Sequence, residues 1–294
     1  MKIGMNVPVM VPGLDRDALL AWCRGIDSAP YSSLAVGERI NFPNPAAMVT
    51  LSVAAAVTER VQIMSYVLIM PMHNAVNRAK ELATIDVVSN GRLCLGVGAG
   101  AREEDYKAVG AVFSPRRLSQ LEEQVETMKR VWRGEIVVDG PLRPVEPAPL
   151  QPGGPEILVG SISQPAIKHI SRWADGLAGF SFGPSIDEIS NAFALAQKYW
   201  HEAEREKPPR LVTSFWFALG SNARDQLDTY LNRYLNFFGP TVATKLAKSV
   251  RCDSAQELAD MLKRVEDTGA DEVSLVPTTA DPAELERVAE ALGW

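Results

Sequence analysis

The chain has 294 residues, 46% of them hydrophobic, enough to bury a sizeable core and a length at which an α/β barrel routinely forms one domain. A net charge of −6, a pI near 5.3 and the lack of any Lys or Arg run argue against a nucleic-acid or anionic-membrane surface, which leaves small molecules as the expected substrates. Cys23, Cys94 and Cys252 are odd in number and lack CxxC spacing, so they read as reduced, buried thiols of a cytoplasmic protein. The opening MKIGMNVPVM carries neither a basic region nor a signal-length apolar core, and no stretch reaches about 18 uninterrupted apolar residues, so neither export nor a membrane span is expected.

Strand and helix patterns alternate along the chain. Lys2 to Val9 reads as a strand, and Asp15 caps a helix to Ser28 whose stripe is Leu19, Leu20, Trp22, Cys23 and Ile26. Ser33 to Val36 is the second strand; its exit, GERINFPNP, is long enough to be a working loop before a helix over Ala46 to Thr58. Val61 to Met70 is the third strand, followed by a helix that stops at Ser89-Asn90-Gly91, where Asn and Gly supply the φ > 0 of a helix end. Leu93 to Val97, apolar without alternation, is a strand buried on both faces. After an excursion, a helix runs from Leu118 to Trp132 with Leu121, Val125, Met128 and Trp132 on one face. The proline-rich stretch Glu135 to Pro152, with a hairpin-like Asp139-Gly140, reads as an insertion lying over the barrel.

The later elements repeat the alternation. Ile157 to Val159 is strand five, with a helix through Trp173; Gly176 to Phe182 is strand six, with a helix from Ser185 to Arg205. Leu211 to Leu219 is strand seven, then helical sequence over Asn222 to Val250 broken at Gly239-Pro240, a helix over Ser254 to Thr268, strand eight over Asp271 to Pro277, and a last helix from Pro282. Eight such units argue for a closed (β/α)8 TIM barrel, one domain over residues 1–294, rather than an open doubly wound sheet.

The run RAKELATIDVVSNGRLCLGVGAG resembles the signature of the luciferase-like flavin and deazaflavin oxidoreductases: an Ala-Lys-x-x-Ala-Thr-x-Asp helix, then Ser-x-Gly-Arg and a Gly-Val-Gly-x-Gly strand. Arg117 to Gly134 and Pro155 to Gly176 follow in that family's order, so the resemblance covers most of the chain. It departs at Ala101, where the family often has an aromatic, and at Ser161, where it often has glycine. The resemblance implies a TIM barrel with insertions at the carboxyl-terminal face, a homodimer through the second and third helices, and a reduced cofactor, coenzyme F420 in preference to FMN. The implied enzyme passes hydride or activated oxygen to a small, apolar organic substrate. The alternative is a catalytically reduced relative that binds cofactor or partners a subunit, motivated by Ala101 and Ser161.

Several residues could carry such chemistry. No triad order, HExxH or His/Cys ligand spacing occurs, so no metal site is expected, and redox chemistry would be a cofactor's. Glu38 and His73, each at a strand exit, are the candidate catalytic residues; Glu38 could hydrogen-bond a flavin-type ring, shuttle a proton, or simply pair with Arg39 or another rim cation, and His73 could be a donor or a polar loop residue. His169 and His201 read as structural or surface residues. Gly98 and Gly100 would let backbone approach a ligand, or form a tight turn. Gly160, Ser161 and Ser163 open a helix where a phosphate can bind, Ser163 being otherwise an ordinary N-cap; the resemblance matches them to the family's phosphate-binding turn. The resemblance also matches Ser65, Tyr66 and Val67 to a segment where a non-prolyl cis peptide, placed between Tyr66 and Val67, bulges the third strand beneath the cofactor ring. Met5, Met10, Met64, Met70 and Met72 line either a greasy pocket or the core, and Phe215, Trp216 and Phe217 read as barrel packing.

Overall fold

A computed structural model describes residues 1–140 and 143–294. Eight parallel strands close on themselves in sequence order: β1 (Lys2–Asn6), β2 (Ser33–Val36), β3 (Gln62–Ile69), β4 (Leu93–Gly98), β5 (Glu156–Val159), β6 (Gly176–Ala178), β7 (Arg210–Phe217) and β8 (Glu272–Pro277). Closure is made by β8 against β1, from Lys2 opposite Glu272 to Met5 opposite Leu275. Outside them lie α1 (Arg16–Ser28), α2 (Ala47–Val57), α3 (Ala75–Val88), α4 (Glu103–Ala108), α5 (Arg117–Trp132) and α6 (Gln164–Ile170). The outer layer continues with α7 (Ile186–Glu202), α8 (Ala223–Tyr234), α9 (Pro240–Ser249), α10 (Ala255–Glu266) and α11 (Ala283–Leu292). This is the expected (β/α)8 barrel.

Local chemistry accounts for most boundaries. Asp15 caps α1 by accepting from Ala18 N at 2.9 Å, and Asn74 caps α3 by accepting from Val76 N and Asn77 N. Asn90 (φ 56°) and Gly91 (φ 75°) turn the chain from α3 into β4 as the sequence predicts, and Gly239 (φ 89°) separates α8 from α9. The strands β1 and β6 end earlier than expected, at Asn6 and Ala178. Beyond β6, Gly179 N and Ser181 N still donate to β7 at Val212 O and Ser214 O, and Phe180 and Phe182 pack edge-on against Trp216, with ring centroids 4.5 and 5.8 Å away.

The described part of the insertion Glu135 to Pro152 holds no strand, and Pro141 and Leu142 next to the expected Asp139-Gly140 hairpin lie outside the described residues. It lies at the amino-terminal end of the barrel rather than over its mouth. Asp86, near the end of α3, accepts from Leu150 N and Gln151 N at 2.8 and 3.1 Å. The physical reason is topological: a connection from a helix back to a strand returns at the strands' amino ends.

The barrel interior is filled by Ala35, Met64, Cys94, Leu158, Ala178 and Val212. Its amino end is sealed by charge: Arg210 pairs with Glu156 and, at 2.5 Å, with Glu272, which also accepts from Ser32 and Ser33. All three cysteines are free and buried, and burial pushes the thiols of Cys23 (to about 12), Cys94 and Cys252 upward, so none is a reactive thiolate. No helix among the described residues is long and apolar enough to cross a membrane.

Candidate active site

The mouth of the barrel is shaped by an irregularity in β3. The Tyr66–Val67 peptide is cis, as the resemblance implies, and the β3–β4 register shifts between Ser65 and Leu68. Ser65 Oγ donates to Gly96 O at 2.8 Å, and Tyr66 reaches across the mouth to donate its hydroxyl to Gly179 O at 2.5 Å. Burial, followed by the Glu272 charge, pushes the Tyr66 phenol well above its ordinary value, so near neutral pH it is a donor and not a base.

The neighbouring glycines fit this bulge. A Cβ on Gly98 would stand 2.9 Å from Val67 Cγ2, one on Gly160 3.2 Å from Val67 Cγ1, and one on Gly37 3.2 Å from the Tyr66 carbonyl. On Gly96 it would collide with Ser65 O, and on Gly100 it would lie 2.5 Å from Ile69 Cγ2. The sequence expects these glycines to let backbone approach a ligand; what packs against Gly98, Gly100 and Gly160 is β3 itself, through the side chains of Val67 and Ile69. Sequence spacing showed the glycines but not their partner, because the contact joins strands far apart in the chain.

Two cavities open at the carboxyl ends of the strands. One, about 80 Å³, is lined by Asn6, Met10, Gly37, Tyr66, Trp216 and Tyr234. The other, about 210 Å³, adjoins Ser161, Ile162, Gly179, Ser181 and Thr213; Phe180 borders both. Trp216 is a wall of the mouth, whereas Phe215 and Phe217, on the other face of β7, belong to the core. Tyr230 and Tyr234 stack on each other with centroids 5.7 Å apart and continue that wall. Sequence reasoning missed these three; the period-2 placement of Trp216 and the i, i+4 spacing of the tyrosines on α8 were the available signals. Met10 lines a mouth cavity, while Met64 fills the barrel, Met5 and Met70 the core, and Met72 packs with Ile69 and Tyr106.

Glu38 and His73 meet. Glu38 Oε2 accepts from Ile69 N at 2.7 Å, and Oε1 lies 3.0 Å from His73 Nε2 and 3.6 Å from Arg78 Nη2. Arg78 can only donate, so its 3.0 Å contact makes His73 Nδ1 an acceptor and leaves the ring hydrogen on Nε2, given to Glu38. The partner of Glu38 is thus Arg78, not the adjacent Arg39. Ser163 begins α6 with no side-chain capping bond, so its hydroxyl is not used as an N-cap. His169 faces Glu122 from α6, and His201 is exposed near the end of α7. Among the described residues no three His, Cys, Asp or Glu side chains cluster as metal ligands. A groove of about 1270 Å³ lies at the opposite, amino-terminal end among residues such as Lys2, Glu156, Arg210 and Asp271. It is remote from the carboxyl rim, where barrel enzymes place their chemistry.

Residues 1–293 match the family model of the luciferase-like monooxygenases. An uncharacterized protein of Mycobacterium tuberculosis is 33% identical over 171 residues, 56% of this chain and 59% of its own length. The oxygenase component of a flavin-dependent trigonelline monooxygenase from Acinetobacter baylyi is 27% identical over 156 residues, 49% of this chain and 43% of its own. The aligned region thus spans roughly half the length of these curated relatives. Among solved structures, an F420-dependent secondary alcohol dehydrogenase in complex with an F420–acetone adduct superposes with a TM-score of 0.79 at 17% identity, over 98% of this chain and 97% of that one. The barrel, its bulged third strand and the match along the chain define a luciferase-like barrel protein. The chain belongs to the luciferase-like monooxygenase family.

Proposed function

We propose that this protein is a flavin-type oxidoreductase that holds a reduced cofactor at the barrel mouth and passes hydride or activated oxygen to a small organic substrate. The observation that carries this reading is the β3 bulge at Tyr66–Val67, cradled by Gly37, Gly96, Gly98 and Gly160 at the rim of a barrel of this family. Coenzyme F420 is the first cofactor in this reading, on the compact chain and the Gly-Glu-Arg-Ile exit of β2; the name of the trigonelline enzyme supports a flavin, in this reading FMN, as the second.

The residues suit such a group. Ser65, Tyr66 and Val67 supply a support without an intruding charge, and Gly98 and Gly100 let β4 pack against Val67 and Ile69 and so hold the bulge in place. Ser161 adjoins the 210 Å³ cavity, and with Gly160 and the uncapping Ser163 forms the turn proposed for the cofactor phosphate. The cofactor supplies the redox chemistry; the protein binds, orients and shields it. Glu38 and His73 act in this reading by holding the exits of β2 and β3 together beneath the ring.

The test is titration of one apo preparation with F420, FMN and riboflavin, followed by turnover of the reduced cofactor. Saturable binding that weakens at least tenfold in Ser161→Ala/Ser163→Ala for F420 or FMN but not for riboflavin is expected. Failure to bind either phosphorylated cofactor sinks the reading. Binding without turnover by any donor favours the catalytically reduced alternative.

A further inference from the structure

Two arginines converge on the aromatic wall of the mouth without partners that account for them. Arg39 follows β2, is 7% exposed, and has Nε and Nη1 buried with no hydrogen-bond partner. Among the described residues no carboxylate pairs with it. Its guanidinium instead lies 4.0 Å from the Phe42 ring centroid and 5.3 Å from that of Tyr234. Arg102, after β4, sits on the same tyrosine at 5.1 Å and on Phe237 at 4.5 Å, and its Nε is also buried without a partner.

One carboxylate stands near this pair, and it is divided between Arg102 and the backbone of the β2 exit. Asp105 Oδ1 accepts from Ile40 N and Asn41 N at 3.1 and 2.7 Å, and its other oxygen is 4.0 Å from Arg102. Burial, then the charge of Arg102, depresses the Arg39 guanidinium, with Tyr234 and Asp105 opposing. Buried charge without a partner is costly, and cation–π contacts of about 0.5–2 kcal/mol offset only part of that. Tyr234, which both guanidinium groups approach, also lines the mouth cavity with Trp216.

We propose that Arg39 and Arg102 receive the carboxylate of the substrate, whose apolar or aromatic body lies along the Tyr234–Trp216 wall. A guanidinium offers the planar fork that a carboxylate accepts in two parallel hydrogen bonds. The inference rests on the proposed redox function for the identity of the ligand as substrate, and it deepens that reading from a small organic molecule to an organic acid. The cofactor phosphate is proposed for the β5 exit, three strands around the barrel from the β2 exit that carries Arg39 and next to the β4 exit that carries Arg102.

The experiment is calorimetric titration of the full chain, without cofactor, by benzoate and phenylacetate against their amides benzamide and phenylacetamide. Saturable binding of an acid at least tenfold tighter than its amide is expected, and Arg39→Gln and Arg102→Gln should each remove at least tenfold of it. Circular dichroism and the thermal midpoint report whether each variant folds; if Arg39→Gln does not, Arg102→Gln and the acid-over-amide preference still decide. No preference for the acids, or full binding of benzoate by a folded variant, overturns the proposal. So does an Arg39→Gln protein that loses FMN but not riboflavin, since the pair would then serve the cofactor phosphate. Because no cofactor is present in the acid titration, its result and that of the cofactor titration fail independently.

Discussion

Glu38 has both carboxylate oxygens engaged, one by the Ile69 amide and one by His73 with Arg78 behind it. In Glu38→Gln the amide carbonyl can still accept from Ile69, but the NH2 group then confronts the hydrogen on His73 Nε2. Two buried donors facing each other lose about 1–3 kcal/mol, so urea denaturation should show that loss, together with weaker cofactor binding from a loosened β3 exit. A variant as stable as the parent with turnover reduced about 10² or more would assign proton transfer to Glu38 instead. The sequence could nominate Glu38 and His73 from their places at strand exits. It could not join them, since they lie on different exits and their partner Arg78 comes from a third element, α3.

Strand β3 and the glycines of β4 and β5 form one packed unit at the element scale. A methyl group on Gly98 would sit 2.9 Å from Val67 Cγ2, and interiors do not yield by that much without strain. Gly98→Ala should cost about 1–3 kcal/mol by overpacking, and Val67→Ala, though itself a loss of buried volume, should recover part of it. A double-mutant cycle by urea denaturation is expected to give a favourable coupling of about 1 kcal/mol or more. Strict additivity would mean that Gly98 is there for another reason. The same contacts bear on Gly160: a bulky residue there would strike Val67 at once, so loss of cofactor binding in Gly160→Leu would not isolate a phosphate contact. The serines of that exit make the cleaner probe.

At the scale of the whole molecule, α2 stands out among the outer helices. AMVTLSVAAAV has no charged residue on any side, yet Val49 is 64% exposed, and Val87 and Val88 at the end of the adjacent α3 are exposed as well. A barrel helix facing water carries a polar outer face, so this surface is expected to be covered by a second copy of the chain. Light scattering after gel filtration should give the mass of two chains, and Val49→Glu with Val88→Glu should give one. A wild-type monomer at micromolar concentration would end that expectation. The periodicities in the chain were sufficient for the eight β/α units and their order, because each unit is built from local spacing, caps and turn residues such as Asp15 and Asn90-Gly91. Folding was needed to bring Tyr66 to Gly179, Val67 to Gly98 and Gly160, and Arg39 to Arg102 and Tyr234. Those contacts depend on barrel closure, which sets strands side by side at distances no local pattern encodes.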